Sequence, residues 1–289
     1  MIDKKHFLTF DIEHSYEGIL HRGWSIKNLD SAKDLDSIDR ILELLDSLNI
    51  TATFFVTGKF AKENPYIIRN IVSGGNEVAS HSNEHIVIDR LGGIEKFTED
   101  LRISIDILSG ITGKSVLGYR APKWSVNPKN EKQVFEVMAD QGLVYDSSFF
   151  PRFRYPGRYQ DGVPLLINLS NDRTLIEVPY SGCNIGPFSI PLTGGFYFRL
   201  SPYFLINLAL RSKNVLNKSG MIYLHPYDFY DSAQCTTEAS ILYRASRAYG
   251  VNESLLKLKK IITSMRFSSI ENQLKQLRGN LVLPGYGYE

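Results

Sequence analysis

The sequence predicts an α/β fold, a parallel sheet covered by helices, and three observations support it. Short β-prone runs alternate with helical apolar stripes from the first residues onward. The length of 289 residues suits one α/β barrel, a fold of roughly 200 to 300 residues. Ionisable side chains stand where nearly every strand-like run ends, as in parallel α/β proteins that carry a site at one end of the sheet.

The elements follow in order. Phe7–Ile12 is a β-prone run, and Ile38, Ile41, Leu42, Leu45 and Leu48 then recur at helical spacing. Ala52–Val56 is a second strand, and Tyr66–Val72 a helix ended by Gly74-Gly75. Glu77–Ser80 is a third strand, followed by an amphipathic helix marked by Ile94, Phe97, Leu101, Ile105 and Leu108. Ser115–Tyr119 reads as strand, Glu131–Asp140 as helix and Leu143–Tyr145 as strand. The rhythm breaks over 149–200, an insert rich in Pro, Gly, Arg and Tyr with one clear strand at Leu175–Val178. It resumes with a helix from Pro202 to about Asn214, a strand at Met221–Leu224 and helical stretches within 238–278. No repeat or linker interrupts the chain, so 1–289 is expected to form one domain. The stripe of Leu255, Leu256, Leu258, Ile261 and Ile262 among Lys257, Lys259 and Lys260 is expected to dock on the barrel, not on a membrane surface.

Composition excludes several classes. Lys plus Arg is 33 and Asp plus Glu 31, a net charge of +2, far from the basic excess of a nucleic-acid coat. Cys183 and Cys235 form neither a disulfide framework nor a thiolate zinc motif. No run approaches the roughly 18 apolar residues of a membrane span. No charged-then-apolar leader precedes the first strand, so a cytoplasmic location is expected.

Three of the six histidines, His81, His85 and His225, lie just past expected strands. His81 and His85 are four apart, and one helical turn would set both imidazoles on one face. With a carboxylate they make a set of two His and one carboxylate with open positions. Asp11 and Glu13 share one face of the first strand while Ile12 takes the other. Paired carboxylates can divide labour, one holding a metal and one taking a proton. Arg120 reads either as a surface charge or as a bidentate tether for a catalytic carboxylate. His225, taken alone, reads as a core histidine.

Thr9-Phe10-Asp11, His81-Ser82-x-x-His85, Arg120-Ala121-Pro122, Asp146-Ser147-Ser148 and Leu224-His225-Pro226 stand in the order of the polysaccharide deacetylases of carbohydrate esterase family 4. The sequence resembles that family from about Phe7 to Leu277. The stretches Gly118–Pro122, Tyr145–Pro151, Gly195–Leu200 and Tyr223–Asp228 are similar to its branch from exopolysaccharide and lipopolysaccharide gene clusters.

The resemblance implies a distorted (β/α)7 barrel and metal-dependent hydrolysis of an N-acetyl group on an amino sugar. By position it makes His81 and His85 ligands of a divalent metal, zinc above all. Asp11 becomes the general base, Arg120 its tether, and His225 the general acid tuned by Asp146. Trp124 and Tyr119 become substrate contacts. The family's first motif has two adjacent aspartates and a glycine. Here Asp11-Ile12-Glu13-His14 stands instead, so the metal carboxylate falls to Glu13 if this strand supplies it. The implied substrate is an N-acetylated sugar on a nucleotide-linked or lipid-linked glycan precursor. Two other readings stay open, hydrolysis of a small cyclic amide or ureide and a barrel that binds carbohydrate without catalysis.

Overall fold

The computed structural model describes residues 5–20, 22–27, 31–150, 155, 161–181, 183–185, 188–235, 238–277 and 285–287. Its strands are β1 (His6–Ile12), β2 (Thr53–Val56), β3 (Glu77–Ser80), β4 (Gly118–Tyr119), β5 (Tyr145–Asp146), β6 (Leu165–Asn168), β7 (Thr174–Glu177), β8 (Cys183–Ile185), β9 (Phe188–Ile190), β10 (Met221–Leu224), β11 (Phe267–Ser268) and β12 (Gly285–Gly287). Its helices are α1 (Glu17–Leu20), α2 (Ser31–Leu48), α3 (Gly58–Glu63), α4 (Pro65–Ser73), α5 (Ile94–Thr112), α6 (Glu131–Asp140), α7 (Gly195–Leu200), α8 (Tyr203–Val215), α9 (Ile241–Ala248), α10 (Val251–Ser264) and α11 (Ile270–Leu277).

The main sheet runs β10-β1-β2-β3-β4-β5-β7-β6-β12. The ladders from β10 through β5 to β7 are all parallel, and β6 lies antiparallel outside β7. With helices on its outer face, this curled sheet is a distorted (β/α) barrel. Strands from both halves of the sequence share it, because β1 pairs with β10 and β11 as well as β2.

β1 shows why the strands bury both faces. All seven of its residues are buried. Leu8, Phe10 and Ile12 pack outward with Ile38, Ile41 and Leu45 of α2. Phe7 packs on the inner side with Phe55, Tyr145 and Met221. The period of two thus sends Thr9 and Asp11 inward as well. α10 buries Leu258, Ile261 and Ile262, and Lys257 Nζ donates to the carbonyls of Phe198, Arg199 and Ser201 at 3.2, 2.9 and 3.0 Å. The basic apolar stripe is therefore docked, its lysine capping the C-terminal end of α7.

α11 closes the end of the barrel where the strands begin. The Ile270 N–H donates to Thr53 Oγ1 at 2.8 Å and the Glu271 N–H to Glu77 Oε2 at 2.9 Å. Glu77 also accepts from Thr53 Oγ1 and Tyr145 Oη at 2.5 and 2.7 Å. These side chains satisfy the first N–H groups of α11.

Two strands are shorter or later than expected. Regular pairing covers Gly118–Tyr119 and Tyr145–Asp146, not Ser115–Tyr119 and Leu143–Tyr145. The Leu117 carbonyl accepts from both Val144 and Tyr145 N–H, which interrupts the ladder ahead of Gly118. The ring of Tyr145 then crosses Gly118 so closely that a Cβ there would lie 2.0 Å from it. In the expected insert 149–200, the described residues form β6, β7, the β8–β9 hairpin and α7. Pro151 and residue 278 lie outside the described residues.

Candidate active site

The ends of β1, β3, β4 and β10 converge on one cavity of about 420 Å³, lined among others by Asp11, Glu13, His81, His85, Trp124 and His225. Asp11 leaves β1 on the inner face, and Glu13 follows on the same side. Arg120, at the end of β4, is completely buried and serves Asp11: Nη1 donates to Asp11 Oδ1 at 2.6 Å and to Thr9 Oγ1 at 3.0 Å. Its other edge is held by the Ser147 carbonyl and Oγ at 3.3 and 3.1 Å. The guanidinium also lies 4.0 Å from the Phe55 ring centroid. Such a saturated cation fixes one carboxylate oxygen and leaves the other to face the cavity.

Glu13, His81 and His85 are buried, and one donor atom from each lies within 4.8 Å of the others. His85 Nε2 stands 2.6 Å from Glu13 Oε2. His81 Nδ1 lies 2.8 Å from the Arg120 carbonyl, to which it donates, so Nε2 carries the free lone pair. Burial lowers the His81 pKa to about 4, leaving that lone pair available near neutrality. Burial alone would raise Glu13, but the charge and hydrogen bond of His85, with His225 and His81 behind it, hold its carboxyl well below the usual range. A carboxylate with two imidazoles is a donor set that fits a divalent cation such as zinc.

The histidine pair converges by a route the spacing does not suggest. Residues 81–85 form a loop, not a helical turn, and Ser82 and His85 have φ of 69° and 56°. Ser82 Oγ accepts the His85 N–H at 2.8 Å and fixes that loop.

His225 follows β10, its Nε2 3.9 Å from both Asp11 Oδ2 and Glu13 Oε1. Its carboxylate partner is Asp228. Asp228 Oδ2 accepts the His225 backbone N–H at 2.9 Å and lies 3.4 Å from Nδ1. Arg199 Nε holds the other oxygen at 2.9 Å. Burial works against a charged His225, yet the Asp228 hydrogen bond and charge, with Asp11 and Glu13, raise its pKa. Tyr227 stacks on the imidazole at 4.5 Å and donates its hydroxyl to Glu13 Oε1 at 3.1 Å.

Two expected roles are corrected here. Asp146 does not reach His225: it is fully buried, accepts from Ser148 Oγ at 2.6 Å and shares its site with Glu177. Burial and the neighbouring carboxylate push Glu177 well up, and the pair orients the Ser147-Ser148 loop behind Arg120. Tyr119 is not a cavity residue either. As an outward position of β4 it is buried in the helix-side core, edge-on to Phe97. Trp124 does line the cavity, wedged against Phe150, Tyr180 and Tyr223, with φ of 56°. Opposite it, Gly194 lies so close to the Tyr223 ring that a Cβ would clash at 1.8 Å, which lets α7 form the cavity wall.

Asp228, Tyr227 and Arg199 were not singled out by sequence reasoning. The signal was present in His225-Pro226-Tyr227-Asp228, where an acid three residues past a strand-end histidine can turn back on it.

Residues 3–145 match the polysaccharide deacetylase family model. Residues 3–145 belong to the polysaccharide deacetylase family. Residues 147–275 match a second family, described as a domain of unknown function, DUF3473. A chitooligosaccharide deacetylase from Sinorhizobium fredii is 34% identical over 106 residues, 36% of this chain and 46% of that protein. A peptidoglycan deacetylase from Helicobacter pylori is 29% identical over 112 residues, 38% of this chain and 36% of that protein. The chain thus spans less than half the length of these curated relatives. A crystal structure of a presumed polysaccharide deacetylase from Mycobacterium smegmatis superposes with a TM-score of 0.67 at 19% identity, covering 100% of this chain and 96% of that one. The fold match runs through the β10–α11 segment as well.

Proposed function

We propose that the protein is a metal-dependent hydrolase that removes the N-acetyl group from an amino sugar in polysaccharide or lipopolysaccharide biosynthesis. The observation that carries this reading is the Arg120–Asp11 pair set beside the Glu13, His81 and His85 donors, with His225 across the same cavity. Glu13, His81 and His85 would hold the cation, which supplies Lewis acidity to the amide carbonyl and to water.

The chain's own groups do the rest. Arg120 pins Asp11 Oδ1, and Oδ2 takes the proton of the attacking water. An amine leaves well only when protonated. His225, its pKa raised by Asp228, is the group that delivers that proton and faces Asp11 Oδ2 at 3.9 Å. Trp124 offers an aromatic surface to a sugar ring. A cavity of about 420 Å³ suits a substituted sugar and is large for a small cyclic ureide.

We read residues 1–289 as one domain, since strands from both ends share the sheet. The substrate is a nucleotide-linked or lipid-linked precursor, and the location cytoplasmic. Among the described residues no helix is long and apolar enough to cross a membrane. Acetate release from N-acetyl sugars, nucleotide sugars and cyclic amides by zinc-loaded protein tests the reading. His81→Ala and His85→Ala should lose bound metal and acetate release together. Cleavage of a cyclic amide alone would replace the deacetylase reading.

A further inference from the structure

Seven charged side chains other than histidine line the cavity: Asp11, Glu13 and Asp228 against Arg22, Lys123, Arg199 and Arg247. The acids are accounted for. Asp11 is paired with Arg120, Glu13 belongs to the metal-donor set, and Asp228 is paired with Arg199. Arg199 also donates from Nη1 to the Ser246 and Tyr249 carbonyls at 2.7 Å each. Three cations make no close ion pair with a carboxylate among the described residues, Arg22, Lys123 and Arg247, although Asp228 attracts Arg247 from a distance.

Each is held toward the mouth by something other than an acid. The Arg22 guanidinium lies 5.4 Å from the Trp24 ring and 5.2 Å from the Tyr243 ring, which restricts an otherwise exposed side chain. Arg247, one helical turn past Tyr243 on α9, is only 8% exposed and stacks 4.0 Å from Tyr227. Its Nη2 donates to the Ser15 carbonyl at 3.1 Å, while its buried Nε has no partner. Lys123 sits at the rim with φ of 53°, a left-handed backbone that turns this residue over the cavity edge. Partial burial, and Arg22 beside it, pull its pKa below the ordinary lysine value against the attraction of Glu13. Arg22 and Lys123 therefore repel each other across the mouth. In a chain of net charge +2, three unmatched cations at one opening are a local concentration, not background.

An anion entering there would relieve that repulsion and satisfy the Arg247 donor. We propose that Arg22, Lys123 and Arg247 form an anion-binding subsite that takes a phosphate or carboxylate carried by the substrate near its N-acetyl group. The substrate half of this inference rests on the deacetylase reading above. The subsite itself rests on the cation geometry. A sugar phosphate and a uronate share the chemistry these donors recognise.

The test uses the full-length, metal-loaded protein. Titration calorimetry with pyrophosphate compares wild type with the Arg22→Ala, Lys123→Ala double variant. Both side chains are at the surface, so the core stays intact. Pyrophosphate bound at the metal alone gives the same Kd in both. The subsite predicts at least a tenfold weaker Kd in the double variant, and equal values overturn it. In parallel, kcat/KM is measured for N-acetylglucosamine 1-phosphate, an N-acetylated disaccharide bearing a uronate, and neutral methyl N-acetylglucosaminide. Wild type should favour one anionic sugar over the neutral one, and which one identifies the source of the charge. The double variant should lose at least tenfold of that preference, mostly through KM, and Arg22→Lys should retain it. No preference in wild type also overturns the subsite. Should no sugar release acetate while the pyrophosphate difference persists, the deacetylase reading falls and the subsite stands.

Discussion

Asp11 and Glu13 differ by one strand repeat, yet their neighbours divide them. Asp11 is gripped by Arg120 on one oxygen, and Glu13 faces His85 at 2.6 Å and His81 beyond it. Asp11→Asn should therefore keep the metal and lose turnover by ~10² to 10⁴-fold, because an amide cannot take the proton. Glu13→Ala should lose metal affinity and regain part of its activity in excess metal. Metal content and turnover measured side by side separate the two, and an empty Asp11→Asn protein beside a loaded Glu13→Ala protein reverses the roles. Asp228 offers a second check. Its hydrogen bond and charge raise the His225 pKa, and a general acid is lost as pH climbs through its pKa. Asp228→Asn should thus move the alkaline limb of the rate profile to lower pH. An unmoved limb would show that His225 is not the titrating acid.

At the scale of elements, the two ends of the barrel do different work. The ends of β1, β3, β4 and β10 present the polar groups of the cavity. The opposite end is held by α11, whose first N–H groups rest on Thr53 and Glu77. Glu77→Ala removes the acceptor of three donors at once and should cost about 2 to 4 kcal/mol in urea unfolding, with faster hydrogen exchange at Glu271. Burial raises Glu77 from 4.5 to about 7. The folded state then holds a proton that the unfolded chain has released, so stability should fall as pH rises between those values. Glu77→Ala should abolish that pH slope, and a slope that persists would assign it elsewhere.

Over the whole molecule, the candidate metal donors join distant parts of the chain. Glu13 follows β1, while His81 and His85 follow β3, with β2 between them. A ligand that binds only the folded state stabilises it by about 2.7 kcal/mol at a hundred times its Kd. For a chain of this size that is a rise in Tm of roughly 4 to 5 °C on adding zinc to chelated protein. His81→Ala should show almost none of it. An equal rise in both proteins would place the ion elsewhere.

Much of this was legible in the sequence because it depends on local periodicity. Period two along β1 puts Asp11 and Glu13 on one face, and helical stripes such as Ile38, Ile41 and Leu45 mark the outer layer. Strand-end position alone singled out His81, His85, Arg120 and His225, and all four meet at the cavity or its support. Partnership was not legible, because it depends on contacts between segments far apart in the chain. Asp146 stands beside Glu177 once β5 pairs with β7, and the carboxylate that reaches His225 is Asp228 through a tight turn. Tyr119 is drawn outward by the pleat of a two-residue strand whose start the Leu117 carbonyl decides. The histidines meet through a loop with two positive φ angles, a conformation that a spacing of four does not encode. Likewise Arg22, Lys123 and Arg247 become neighbours only when a loop after β1, the turn after β4 and α9 close around one cavity, since charge acts through space and not along the sequence.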